Sequence, residues 1–178
     1  VFSVDFIIAL MVFVVLLIAS EWVWSAATEN IYFTEGRNDL ELLSRNAASL
    51  LVQSTGNPSY WNNLSDFNST AIYSLGLCKN RPWLIDEAKV ARLNSLNNTN
   101  YTTFKTLLGI RGPSYEFHLN ISKFDGVKFN NLALIGKWPN ATAENVVRIE
   151  RMAVSSSDRN WTKVILLVWK ECVGATCY

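Results

Sequence analysis

Apolar and polar positions divide the chain into two unlike stretches. From residue 6 to residue 19 every side chain is apolar or small, and the first 28 residues carry only Asp5 and Glu21 as side-chain charges. A helix that is apolar on every side is buried on every side. With residues 1–5 included, the run reaches about 20 residues, or ~30 Å of helix, which matches a hydrocarbon core. Beyond it the pattern turns amphipathic. Leu40, Leu43, Ala47, Leu50 and Leu51 share one helical face, while Arg37, Asp39, Glu41 and Arg45 lie elsewhere around the turn. Gly36 is the expected weak point or kink. Ser54-Thr55-Gly56-Asn57-Pro58 marks a stop, because a glycine ends a helix readily and a following proline cannot continue it. The pattern predicts one helix of about 54 residues, on the order of 80 Å long.

The remainder reads as a mixed domain. Residues 60–80 look irregular, with a strand expected over 71–78. Pro82 opens an expected helix over 83–95, with Leu84, Ala88 and Ala91 on one face. A further helical turn or two over 102–108 ends at Gly109. Strand alternation begins after Pro113: Tyr115, Phe117, Leu119 and Ile121 point one way, and Glu116, His118 and Asn120 the other. Phe124-Asp125-Gly126 is a hairpin turn leading into 127–135, and 145–154 with 161–169 form a second hairpin. The fold class is therefore α+β, with an antiparallel sheet of about four strands packed on the amphipathic half of the long helix. Three segments are expected: residues 1–28 as an apolar membrane or filament-core helix, 29–54 as its amphipathic continuation, and 55–178 as a β-rich exterior domain.

Charge adds an exclusion. The 178 residues hold 16 basic and 15 acidic side chains, a net charge of +1, so no nucleic-acid partner is expected. The chain opens on Val1 with no Lys or Arg ahead of the apolar run. A cleaved secretory peptide carries a basic start and a small-residue cleavage site. The expectation is a precursor trimmed on the cytoplasmic side of the helix.

Asparagine patterning sets the compartment. Asn-x-Ser/Thr sequons occur at Asn63, Asn68, Asn97, Asn100, Asn120, Asn140 and Asn160, whereas Pro58 excludes Asn57. With 18 Asn and 27 Ser plus Thr among 178 residues, chance supplies roughly three. The excess, all beyond residue 60, points to N-linked glycans on a translocated domain. Cys78, Cys172 and Cys177 are the cysteines. Cys172 and Cys177 could close a small loop, or Cys78 could pair with either and close a much longer one.

Catalytic patterns are not found. There is one histidine, His118, and no His–Cys cluster, nucleophile elbow or glycine-rich phosphate loop. Asp86 and Glu87 are adjacent on an expected helix and do not face each other. The expectation is no enzyme, no metal and no cofactor. Of the seven tryptophans, Trp22 and Trp24 suit a membrane interface and the others a core.

One charge remains. Asp5 sits at the start of the apolar helix, where a carboxylate costs several kcal/mol to desolvate unless paired. It could meet its own helix dipole, the free amine of Val1 on a neighbouring copy, or water at the membrane surface. Val1-Phe2-Ser3-Val4-Asp5-Phe6-Ile7-Ile8-Ala9-Leu10 resembles the mature start of a type IV pilin, in which an apolar helix carries an acidic residue at the fifth position. Glutamate is usual there; this chain has Asp5. The pattern is also similar to archaeal class III signal sequences, whose hydrophobic stretch is kept after cleavage. The absence of an archaellin-type glycine-rich start favours an adhesion pilus over a motility filament. The resemblance implies a structural subunit that rests in the membrane before assembly and is processed by a prepilin peptidase and pilus assembly machinery. It would then polymerise into an extracellular helical homo-oligomer through Val1, Asp5, Phe6, Leu10, Phe13 and Leu17. The alternative is a membrane-anchored exterior glycoprotein, or minor pilin, that does not polymerise.

Overall fold

The computed structural model describes residues 4–96 and 100–171, and the side-chain surroundings of all of these except 29–35. Helix α1 spans Val4–Gln53 and continues through Gly36. The chain divides into two compact units, Val1–Asp39 and Leu40–Tyr178. The boundary lies further along than the end of the apolar run, and Leu40 is the first of the described α1 side chains to enter a core.

Within the second unit the buried stripe of α1 is Leu40, Ser44, Ala47, Ala48, Leu51 and Val52. Ser44 and Ala48 take places that the sequence pattern gave to Leu43 and Leu50, which are half-buried. Small side chains on the stripe's midline let neighbouring elements approach closely, and the Ser44 hydroxyl is satisfied by donating to the Leu40 carbonyl at 2.6 Å.

The last turn of α1 leaves carbonyls without helical partners. The following segment supplies donors to them. Leu77 N–H donates to Leu51 O at 2.8 Å, Trp83 N–H to Val52 O at 2.7 Å, and Cys78 N–H to Ser54 O at 3.0 Å. Residues 71–78 therefore do not form the expected strand: Leu77 and Cys78 donate to the helix end and the residue just past it, Ile72, Tyr73 and Ser74 donate to Asn68 and Asn57, and only isolated bridges at Ser74 and Cys78 remain. Gly76 has no room for a side chain, since a Cβ would lie 2.3 Å from Ser54 O.

The expected helix over 83–95 is also revised. Leu84–Ile85 form strand β1, and helix α2 begins later, at Glu87–Leu96. Asp86 sets this start, its Oδ1 accepting from Ala88 N–H at 3.0 Å. The buried face of α2 is accordingly Lys89, Val90 and Leu93 rather than Leu84, Ala88 and Ala91. Helix α3 spans Tyr101–Leu107, one residue ahead of the expected start.

Four longer strands follow: β2 Tyr115–Phe124, β3 Phe129–Gly136, β4 Ala143–Ser155 and β5 Trp161–Glu171. The sheet order is β1-β4-β5-β2-β3. The four long strands are antiparallel, as alternation implied, and β1 adds a fifth strand, parallel to β4. Phe117, Leu119, Ile121, Val164, Leu166 and Val168 share one buried cluster with Leu40, Ala47 and Leu51 of α1. The fold is α+β: a long N-terminal helix, apolar in its first part, and a mixed sheet packed on its amphipathic part.

Candidate functional site

The stretch Val4–Thr28 of α1 is 25 residues, long and apolar enough to cross a membrane, and its most apolar window is 0% buried within the chain. Phe6 (52% exposed), Leu10 (51%), Phe13 (58%) and Leu17 (48%) lie on this surface. At ~25 cal/mol per Å², each large side chain of this kind gains on the order of 1.5–3 kcal/mol on leaving water. A helix of this length and composition can be a membrane span or a signal segment. Asp5 occupies the first turn of α1, where a negative charge complements the helix dipole. Val1 lies outside the described residues.

The sequons fall on the second unit. Asn63, Asn140 and Asn160 are exposed, while Asn68, Asn100 and Asn120 are half-buried. Asn97 lies outside the described residues. Asn68 and Asn140 sit in turns, Asn100 immediately precedes α3, and Asn120 lies in the middle of β2 between β3 and β5. Cys78 is buried as a free thiol whose Sγ donates to Val52 O at 2.9 Å, and burial raises its pKa. Its two candidate partners, Cys172 and Cys177, lie outside the described residues.

Three polar clusters were not legible in the sequence. In the first, Lys123 of β2 joins Glu87 of α2 at 2.6 Å to Asp158 of the β4–β5 turn at 2.7 Å. Ser155 and Ser157 also donate to Glu87 Oε1. The Lys123 hydrogen bonds hold both carboxyls at about 2, and the same bonds raise Lys123 itself, Asp158 contributing most. In the second, Glu116 is buried on β2, accepting from the Tyr101 hydroxyl, with Lys137 at 3.3 Å and Lys105 at 3.7 Å. Burial and then the Glu116 bond push the Tyr101 phenol well above its ordinary value, so it stays protonated. The third is Lys89, which is buried and donates to Thr55 O at 2.7 Å and Cys78 O at 2.8 Å. A cation there caps the chain just past the α1 C-terminus. Burial lowers its pKa. Each cluster joins residues distant in sequence, so no local spacing announces it.

His118 is buried despite its polar-face position, and its two ring nitrogens have no hydrogen-bond partner. Its ring meets Trp138 edge-on at 4.7 Å. Burial lowers its pKa, opposed by the backbone at Lys137 and Gly136. Among the described residues, no group of three or more His, Cys, Asp or Glu side chains could hold a metal ion. No family model, no curated protein and no solved structure matches the chain.

Proposed function

We propose that the chain is the structural subunit of an extracellular, archaeal type IV pilus-like filament, adhesive in role, that polymerises through the apolar part of α1. The observation that supports this reading is the apolar run Val4–Thr28, whose most apolar window is 0% buried within the chain. On this reading its cover comes from outside the chain. Lipid provides it before assembly, and equivalent helices of other copies provide it in a filament core. One surface then serves both storage and polymerisation. The resemblance of the first ten residues to a type IV pilin start favours the polymer. Each copy would present one patch to a different patch on the next, and such heterologous contacts extend without closing. Asp5 then acts at the head of the helix, aligning neighbours through charge rather than stabilising the domain.

The test is electron microscopy of detergent-free material from the cell surface, followed by challenge with molar salt and with mild detergent. Filaments that survive salt and dissolve in detergent are expected, because buried apolar side chains outweigh surface ion pairs, worth ~0–1 kcal/mol each. Asp5→Ala should reduce filament yield and leave the thermal melt of the second unit unchanged. Chains that remain membrane-bound and never form filaments would establish the anchored, non-polymerising glycoprotein instead.

A further inference from the structure

We infer that Asn68 and Asn140 accept glycans in preference to Asn120 and Asn160, which stay bare; the inference rests on the exterior placement proposed above, not on polymerisation. The seven sequons are equivalent as text but not as geometry. At Asn68 the side-chain Oδ1 accepts from Thr70 N–H at 3.1 Å, from the Thr70 hydroxyl at 2.7 Å and from Ala71 N–H at 2.8 Å. At Asn140 the same atom accepts from Thr142 N–H at 3.1 Å and the Thr142 hydroxyl at 2.7 Å. Two unrelated turns thus hold the sequon in one conformation, with the threonine hydroxyl on the asparagine carbonyl.

That conformation suits the chemistry of transfer. Oδ1 faces the chain, so Nδ2 lies on the opposite side of the carboxamide. Donation to Oδ1 stabilises the negative charge that gathers there as Nδ2 gives up a proton to a carboxylate base of the membrane-bound glycosyltransferase that carries out the step. Nδ2 then attacks the anomeric carbon of a sugar carried on a polyisoprenyl phosphate or diphosphate. The bond from that carbon to the phosphate oxygen breaks, the carbon–nitrogen bond forms, and the lipid phosphate leaves with the electron pair. One N–H remains on each modified asparagine. At Asn140 it can keep the existing bond to Glu171 Oε1, now 3.3 Å.

The contrasting pair lacks these features. Ser122, the hydroxyl of the Asn120 sequon, is 2% exposed, and Asn120 Oδ1 is buried without a hydrogen-bond partner. A glycan there would have to leave from the middle of a strand paired on both sides. Thr162, the hydroxyl of the Asn160 sequon, is 0% exposed with its Oγ1 buried and unpartnered.

Site-by-site glycopeptide mass spectrometry on the chain purified from its own cells tests this directly, with the same preparation imaged for filaments. Occupancy at Asn68 and Asn140 should exceed that at Asn120 and Asn160 roughly tenfold. Thr70→Ala should remove the sugar from Asn68 and Thr70→Ser should retain it, with circular dichroism showing an unchanged fold in both. Equal occupancy at Asn120 or Asn160 overturns the inference, as does sugar retained at Asn68 in Thr70→Ala. Bare asparagines throughout a filamentous preparation overturn it too, while leaving the polymer reading intact. Sugars at Asn68 and Asn140 on chains that never form filaments support it and retire the polymer.

Discussion

Residues 4–28 and 40–53 belong to the same helix, yet they meet the problem of burial in opposite ways. The first stretch is apolar around its whole circumference, and its most apolar window is 0% buried within the chain. The second concentrates burial into the stripe from Leu40 to Val52 and leaves Leu42, Arg45 and Asn46 exposed. Backbone hydrogen bonding is the same in both, so it does not separate their roles. The difference lies in who supplies the cover. For 40–53 the chain itself does, through the sheet and the carbonyl-capping segment. For 4–28 the proposed cover is external, lipid or other copies. Stability of the second unit and the assembly proposed for the first should accordingly respond to different substitutions.

The strongest test of that separation is a charge in the apolar stretch. Val14→Lys places a cation on the surface proposed to lie in lipid or among other helices, at a cost of ~2.5–3.5 kcal/mol near the centre of a span. Filament yield is expected to fall about a hundredfold or more, with no change in the melt of the second unit. Loss of both would join what the comparison separates.

The converse test is Leu51→Ala. Leu51 is fully buried in the core shared by helix and sheet. Its truncation should cost ~2–5 kcal/mol and lower the melting temperature by on the order of 10 °C, read by calorimetry. Membrane insertion of residues 4–28 should be unaffected. A smaller effect is expected from Lys89→Met, which leaves the Thr55 and Cys78 carbonyls without their buried donor. Chemical denaturation should register a loss of about 1–3 kcal/mol.

The smallest effect concerns pH. The carboxyls of Glu87 and Asp158 are held at about 2, below their ordinary values of 4.5 and 3.8, chiefly by Lys123. A carboxylate with a depressed folded pKa stabilises while ionised. The contribution is full above about 4.5 and is lost as the pH falls towards about 2. Glu87 is 38% exposed, so solvent screens much of it. Melting temperatures across that window should decline less steeply in Glu87→Gln than in the unmodified chain. Equal slopes would mean that the cluster adds nothing to stability.

What could be read in advance follows from where the information sits. The four long strands and the two hairpin turns were legible because strand alternation and turn residues are local. The Asp125 carboxylate, for example, accepts from Val127 and Lys128 N–H within its own turn. Helix α2 was misplaced because Pro82 looked like a start, whereas Trp83 takes a left-handed backbone, φ 67°, and Asp86 supplies the first-turn acceptor. Residues 71–78 suggest a strand in the sequence because their apolar side chains suit one. The competing demand of the α1 carbonyls is invisible without knowing where that helix ends in space.

The sequence by itself determined the long helix, the change from all-round to one-sided apolarity along it, the α+β class and the positions of the sequons. These depend on periodicities of 3.6 and 2 residues and on motifs a few residues long. Only the tertiary structure decided that Lys89 caps carbonyls of the α1 exit, that Lys123 links α2 to the β4–β5 turn, and that Ser122 and Thr162 face inward while Thr70 and Thr142 do not. Each of those outcomes depends on which distant segment arrives to cover a side chain, and burial by a distant segment leaves no periodic trace in the residues that are buried.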